Sequence, residues 1–188
     1  QKQKLKSGET YIFENTSGAI ESPDLWSPET PSLYLVKTTL VDPKSGKLLD
    51  EKNHKVGFRW FTFDGSKGFF LNGKSYKLRG LNRHQDQAPA GVALDDEAHR
   101  RDIFLFYELG CNFIRISHFL QDDAILEMCD ELGLLAWEEI PIINIVPNTP
   151  GYDDNCEYNL REMIRQHYNH SSVITWGYMN EILLTAPS

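Results

Sequence analysis

Four clusters of polar residues in this chain each stand at the end of an apolar run: Asn82, Arg83, His84 and Asp86; Ser117 and His118; Glu138 and Glu139; Asn180 and Glu181. Buried strands that turn polar only at their C-terminal ends are how a (β/α)8 barrel gathers an active site at one mouth. The sharpest case is Val173-Ile174-Thr175-Trp176-Gly177-Tyr178-Met179-Asn180-Glu181, which stops on an amide and a carboxylate. Glu181 is therefore a candidate catalytic acid. Converging on the same mouth, Asn180, His84, His118, Asp86 and Glu139 would add an amide, two imidazoles and carboxylates. Such a set suits hydroxyl-rich substrates and proton transfer to an oxygen leaving group. Trp137 and Tyr178 fit either sugar-stacking platforms or core, because aromatics inside strands serve as both. The Glu138/Glu139 pair could attract a divalent cation, but Ile140-Pro141-Ile142-Ile143-Asn144 brings no further His or Asp. No metal site and no cofactor are expected. His99, His167 and His170 fall on or beside helices away from the mouth and are expected to be structural, and His54 a surface residue of the β half.

Two kinds of element must position these groups. Residues 1–74 read as short strands punctuated by turns, with Leu33–Val41 rich in β-branched and aromatic types and Asp42–Lys47 as a turn cluster. The returning strands are expected at Lys55–Phe63 and Gly68–Leu71, with Asn72-Gly73 as a tight turn. About five strands can be drawn, fewer than the seven or so of an immunoglobulin-like sandwich, so this half is expected to be a partial one. From residue 75 the period changes. Asp95-Asp96-Glu97 opens a helix ending at Gly110. A second helix carries Ala124, Ile125, Met128, Cys129 and Leu132 and closes at Gly133, and a third carries Leu160, Met163, Ile164, His167 and Tyr168. With Tyr76–Gly80 as first strand, the order is β-α-β-α-β-α-β, implying a parallel sheet with crossover helices. An open doubly wound sheet would carry a glycine-rich turn after that strand, whereas Gly80-Leu81-Asn82-Arg83-His84-Gln85-Asp86 is loaded with titratable groups. The expected fold is thus a partial immunoglobulin-like β-sandwich followed by α/β, the first four βα units of a TIM (β/α)8 barrel over residues 75–188.

Composition narrows the partners. The 188 residues carry a net charge of -8 with both signs interspersed, which offers a phosphate backbone no concentrated positive face, so nucleic acid is not expected. No stretch approaches the ~20 apolar residues of a membrane helix. Gln1–Lys6 lacks the apolar segment of a secretory signal, and periplasm, secretion and cytoplasm all stay open. The three cysteines show no C-x-x-C spacing, and Cys111 and Cys129 are expected as buried thiols.

Five motifs in order carry a family resemblance: Leu25-Trp26-Ser27-Pro28-Glu29-Thr30-Pro31-Ser32-Leu33-Tyr34, Arg79-Gly80-Leu81-Asn82-Arg83-His84-Gln85-Asp86, Asn112-Phe113-Ile114-Arg115-Ile116-Ser117-His118, Cys129-Asp130-Glu131-Leu132-Gly133-Leu134, and Asn169-His170-Ser171-Ser172-Val173-Ile174 leading to Asn180-Glu181. Over about residues 25–183 the chain resembles glycoside hydrolase family 2, the β-galactosidase, β-glucuronidase and β-mannosidase group. The resemblance implies a retaining exo-β-glycosidase whose parent holds a sugar-binding jelly roll, an immunoglobulin-like sandwich and a catalytic barrel. It also implies Glu181 as general acid/base, Asn180 as partner of the sugar 2-hydroxyl, and His84 and His118 as substrate contacts. Glu139 matches a carboxylate of less certain role. The family nucleophile is a Glu on a later strand that this sequence does not include, so the isolated chain is expected to be inert unless Glu138 or Glu139 substitutes. The magnesium ligands of one β-galactosidase subgroup are replaced by Ile142-Ile143-Asn144-Ile145, and the usual His-Pro-Ser is His170-Ser171-Ser172. The run Glu138-Glu139-Ile140-Pro141 looks most like the shorter β-galactosidase-like members, with β-glucuronidase as the alternative. The expected partner is a β-linked oligosaccharide or glycoside, and a homo-oligomer is compatible with the sequence.

Overall fold

The computed structural model describes residues 1–182. The elements run β1 (Tyr34–Val41), β2 (Leu48–Val56), β3 (Phe61–Asp64), β4 (Gly68–Leu71), β5 (Lys74–Ser75), β6 (Gly80–Arg83), α1 (Asp96–Glu108), β7 (Phe113–Ile116), α2 (Asp123–Leu132), β8 (Leu135–Glu139), α3 (Tyr152–His167) and β9 (Val173–Gly177). Among the described residues they form a β1-β2 ribbon, an antiparallel β3-β4-β5 sheet and a parallel sheet in the order β6-β7-β8-β9. The three helices are the crossovers of that last sheet.

Strand placement departs from the expectation twice. The partner of β1 is Leu48–Val56, with Tyr34 opposite Val56, rather than Lys55–Phe63. This ribbon is exposed on both faces and held by pairs such as Lys37 to Glu51 at 2.7 Å, so no apolar alternation announces it. The first parallel strand is Gly80–Arg83, not Tyr76–Gly80. Gly80 lies so close to the Phe113 carbonyl that a side chain could not fit, and the chain joins the sheet there. Asn82 and Arg83 are accordingly strand residues. Arg83 turns outward, buried under α1, where its guanidinium donates to Asp102 at 2.8 Å and meets His99 at 3.0 Å.

Helix boundaries follow local chemistry. The Asp95 side chain accepts the Ala98 N–H to cap α1, Asp122 does the same for α2 through Ala124, and Gly133 closes α2 with φ 79°. The outer face of the sheet packs Ile114, Ile116, Ala136 and Val173 against Ile103, Ile125, Leu126 and Cys129 of the helices. The Cys129 thiol is fully buried, and burial pushes its pKa far up. A second cluster of Trp26, Phe69, Leu71, Leu135 and Ile174 plugs the N-terminal end of the sheet with residues of the β half. The opposite end is left to polar side chains.

Candidate active site

Parallel pairing puts Arg115 of β7 opposite Trp137 of β8, and Glu139 two residues further along the same face. Alternation in β8 then sends Glu138 to the other side. Glu138 is buried against α3, where His167 Nδ1 lies 2.8 and 2.9 Å from its two oxygens. It therefore does not join the mouth, contrary to the expectation for the strand-end pair, whereas His167 has the structural role expected of it.

Glu139 is 0% exposed and sits at the centre of a hydrogen-bonded cluster. Arg115 grips it through Nε to Oε1 at 2.7 Å and Nη2 to Oε2 at 3.0 Å, a two-point clamp. The same Nη2 donates to Asn180 Oδ1 at 2.8 Å. Nη2 carries two hydrogens, and these oxygens take both. His118 Nδ1, 3.1 Å from Nη2 and 3.2 Å from Glu139 Oε2, must then be the protonated nitrogen and donate to Glu139. With its oxygen engaged by Arg115, the Asn180 amide has no hydrogen bond from its NH2 to another described residue. The Arg115 guanidinium also lies over the Trp137 ring, 4.8 Å from the centroid.

Asn180 is buried and tied through its backbone as well. Its N–H donates to Ile142 O at 2.8 Å and its carbonyl accepts from Asn144 at 3.0 Å, so the loop after β8 extends the pairing with β9 past the strands. Directly beyond this tether Glu181 adopts φ 56°. A left-handed glutamate costs on the order of 1–3 kcal/mol. The Glu181 side chain is exposed and makes no hydrogen bond to any described residue.

The remaining predicted residues divide. The His84 ring meets His118 edge to face at 5.1 Å, which puts it beside the cluster. Asp86 is exposed and lines a shallow depression next to α1 with Asn82, His84, Arg101 and Asp102, and makes none of the hydrogen bonds of the Glu139 cluster. Among the described residues, no cluster of three or more His, Cys, Asp or Glu side chains could hold a metal ion, and no helix is long and apolar enough to cross a membrane. Sequence reasoning missed Arg115 as a site residue. A lone arginine in Phe113-Ile114-Arg115-Ile116 was the available signal, since a charge within a buried parallel strand needs a partner.

Residues 64–186 match the family model described as glycosyl hydrolases family 2, TIM barrel domain, and residues 1–59 match glycosyl hydrolases family 2. The chain belongs to that family. A β-glucuronidase of Bacteroides fragilis is 38% identical over 186 residues, covering 95% of this chain and 26% of the relative. A β-galactosidase of Thermoanaerobacterium thermosulfurigenes is 43% identical over 154 residues, covering 81% of this chain and 21% of the relative. Among solved structures, Bacteroides uniformis β-glucuronidase 2 covalently bound to cyclophellitol-6-carboxylate aziridine is 70% identical with a TM-score of 0.91, covering 95% of this chain and 21% of that one. The chain thus spans about a quarter or less of the length of these relatives.

Proposed function

We propose that this chain is the acid/base-bearing part of a retaining exo-β-glycosidase of β-glucuronidase type. The observation that carries the substrate class is 70% identity to an enzyme whose covalent ligand is a sugar mimic with a 6-carboxylate. The β-galactosidase reading of the Glu138–Pro141 run gives way to it: both names occur among relatives near 40% identity, and the high-identity structure is a β-glucuronidase. In this reading residues 1–74 belong to an immunoglobulin-like sandwich, and residues 75–188 supply the first four βα units of the barrel.

Retention needs two carboxylates about 5 Å apart, one to protonate the leaving oxygen and one to attack the anomeric carbon. Glu181, exposed, beside Asn180 and without a hydrogen bond to any described residue, suits the acid/base role. The amide NH2 of Asn180 is the donor for the sugar 2-hydroxyl, and His84, His118 and Trp137 border the same mouth. Glu139 is unsuited to attack, because Arg115 and His118 occupy its oxygens and stabilise its charge where it is. Glu138 faces His167 instead. The nucleophile therefore comes from the additional chain length that the relatives possess.

The test uses the full-length protein with aryl β-glucuronides and aryl β-galactosides. Glu181→Gln should lower turnover of poor leaving groups by about 10²–10⁴-fold and of activated ones by less than about tenfold, since only the former need a proton. Equal losses on both would sink the acid/base assignment. A wild-type preference for galactosides over glucuronides would return the substrate to the other reading.

A further inference from the structure

We propose that Trp137 is a positioning residue that acts through Arg115 and does not serve as a sugar-stacking platform. The inference rests on the glycosidase reading above and deepens it. Arg115 and Trp137 are register partners on adjacent strands, so their side chains rise from the same face directly opposite one another. The guanidinium carbon lies over the indole, 4.8 Å from the ring centroid, and so covers one of its two faces.

The hydrogen bonds of Arg115 explain why a flat support matters. One nitrogen, Nη2, serves Glu139 at 3.0 Å and Asn180 at 2.8 Å, which requires the guanidinium plane to contain both acceptors. The hydrogen bonds define that plane, and the indole beneath the guanidinium supports it there from one side. Loss of that support would release Asn180 from Arg115 and free the amide to rotate, exchanging the NH2 presented to the sugar for an oxygen.

The indole itself is held. Trp137 Nε1 is buried, has no hydrogen-bond partner among the described residues and lies against Gly177 of β9. A Cβ at residue 177 would fall inside the van der Waals sphere of that nitrogen and 2.6 Å from Glu139 Cγ. Gly177 thus leaves room for the indole edge, and the strand packed there keeps it in place.

The full-length protein with an aryl β-glucuronide tests this. Trp137→Ala should lower kcat about ten- to a hundredfold, the scale set by a misplaced positioning group, with KM changed less than about threefold. Trp137→Phe, which keeps a stacking face, should recover most of the loss. In an Arg115→Lys background the Trp137→Ala change should have little further effect. A sugar platform predicts instead a raised KM at unchanged kcat, and a merely structural role predicts additive losses; either overturns the proposal. The crystal structure of Trp137→Ala separates this from the glycosidase reading. Arg115 should leave Asn180 Oδ1 even if the wild type proves to cleave no glucuronide, and an unmoved guanidinium refutes the positioning role.

Discussion

At the scale of single residues, the mouth is governed by how many donors Arg115 can offer. Three of its bonds fall on Glu139 and Asn180, and this sets both the amide orientation and the His118 tautomer. Gly177 is the space that permits it. Gly177→Ala should therefore act as a packing lesion inside the site: the new methyl meets Trp137 Nε1 and Glu139 Cγ, and relief requires the indole or the strand to shift. Overpacking of this kind costs about 1–3 kcal/mol of stability. Activity should fall further than that loss implies, because the indole carries Arg115 with it. Thermal melting and turnover measured together decide it; a variant with normal activity would show that the indole can move harmlessly. Much of this site was legible in the sequence. Asn180, His118, Glu139 and Glu181 announce themselves as polar residues ending apolar runs. Arg115 showed only as a lone charge inside a buried strand, and Gly177 not at all, because its importance lies in a contact with β8, far away in the chain.

At the scale of elements, β8 divides two adjacent glutamates between opposite faces. Alternation was readable in principle, yet the pair Glu138-Glu139 was assigned to one mouth because no sequence signal fixes which parity faces inward. The helix α3 supplies the answer through His167. Glu138 and Asp123 lie 2.8 and 3.2 Å from the two ring nitrogens, an arrangement that favours the protonated ring. Burial alone would lower its pKa, but the Glu138 hydrogen bond and charge, with Asp123 behind, carry it above the ordinary histidine value. A folded-state pKa raised above the unfolded one stabilises in full below about pH 6.5 and less as pH climbs through the folded value. The melting temperature of the wild type should accordingly decline from about pH 6.5 toward pH 9, with a shallower decline for His167→Gln, which cannot ionise. Parallel profiles for the two proteins would remove His167 from the pH dependence. The strand boundaries that sequence missed, β2 and β6, share one cause: exposed or one-sided strands of mixed polarity carry little periodicity, and their limits are set by partners such as Phe113.

At the scale of the whole molecule, the β half grips the entrance of β9, whose far end carries Asn180 and Glu181. Arg59 donates from Nε to Ser171 O at 2.9 Å and from Nη2 to Val173 O at 2.6 Å, and Trp26 Nε1 donates to Asp130 O at 2.9 Å. Asp130 in turn accepts from Ser172 N and meets His170 Nδ1, both at 2.7 Å, so the loop before β9 is held from both sides. Ser171 completes the grip by accepting the Gly57 N–H on its Oγ at 2.6 Å. Gly57 is pressed against Trp26, where any Cβ would lie 2.6 Å from the Trp26 Cβ, so its N–H has little room to seek another acceptor. The resemblance stated above implies a proline at this position, which invites the substitution Ser171→Pro. Two effects then compete. A proline that fits the native backbone stabilises by about 0.4–1 kcal/mol through the unfolded chain. Leaving the partly buried Gly57 N–H without its acceptor costs on the order of 1 kcal/mol or more, at the lower end of the range for a fully buried donor. The second term outweighs the first, so Ser171→Pro should melt a few degrees below the wild type and close to Ser171→Ala, which lacks the acceptor without adding the ring. A proline variant more stable than the wild type in calorimetry would mean that Gly57 finds another partner, and that the junction between the β half and the parallel sheet is looser than these hydrogen bonds require.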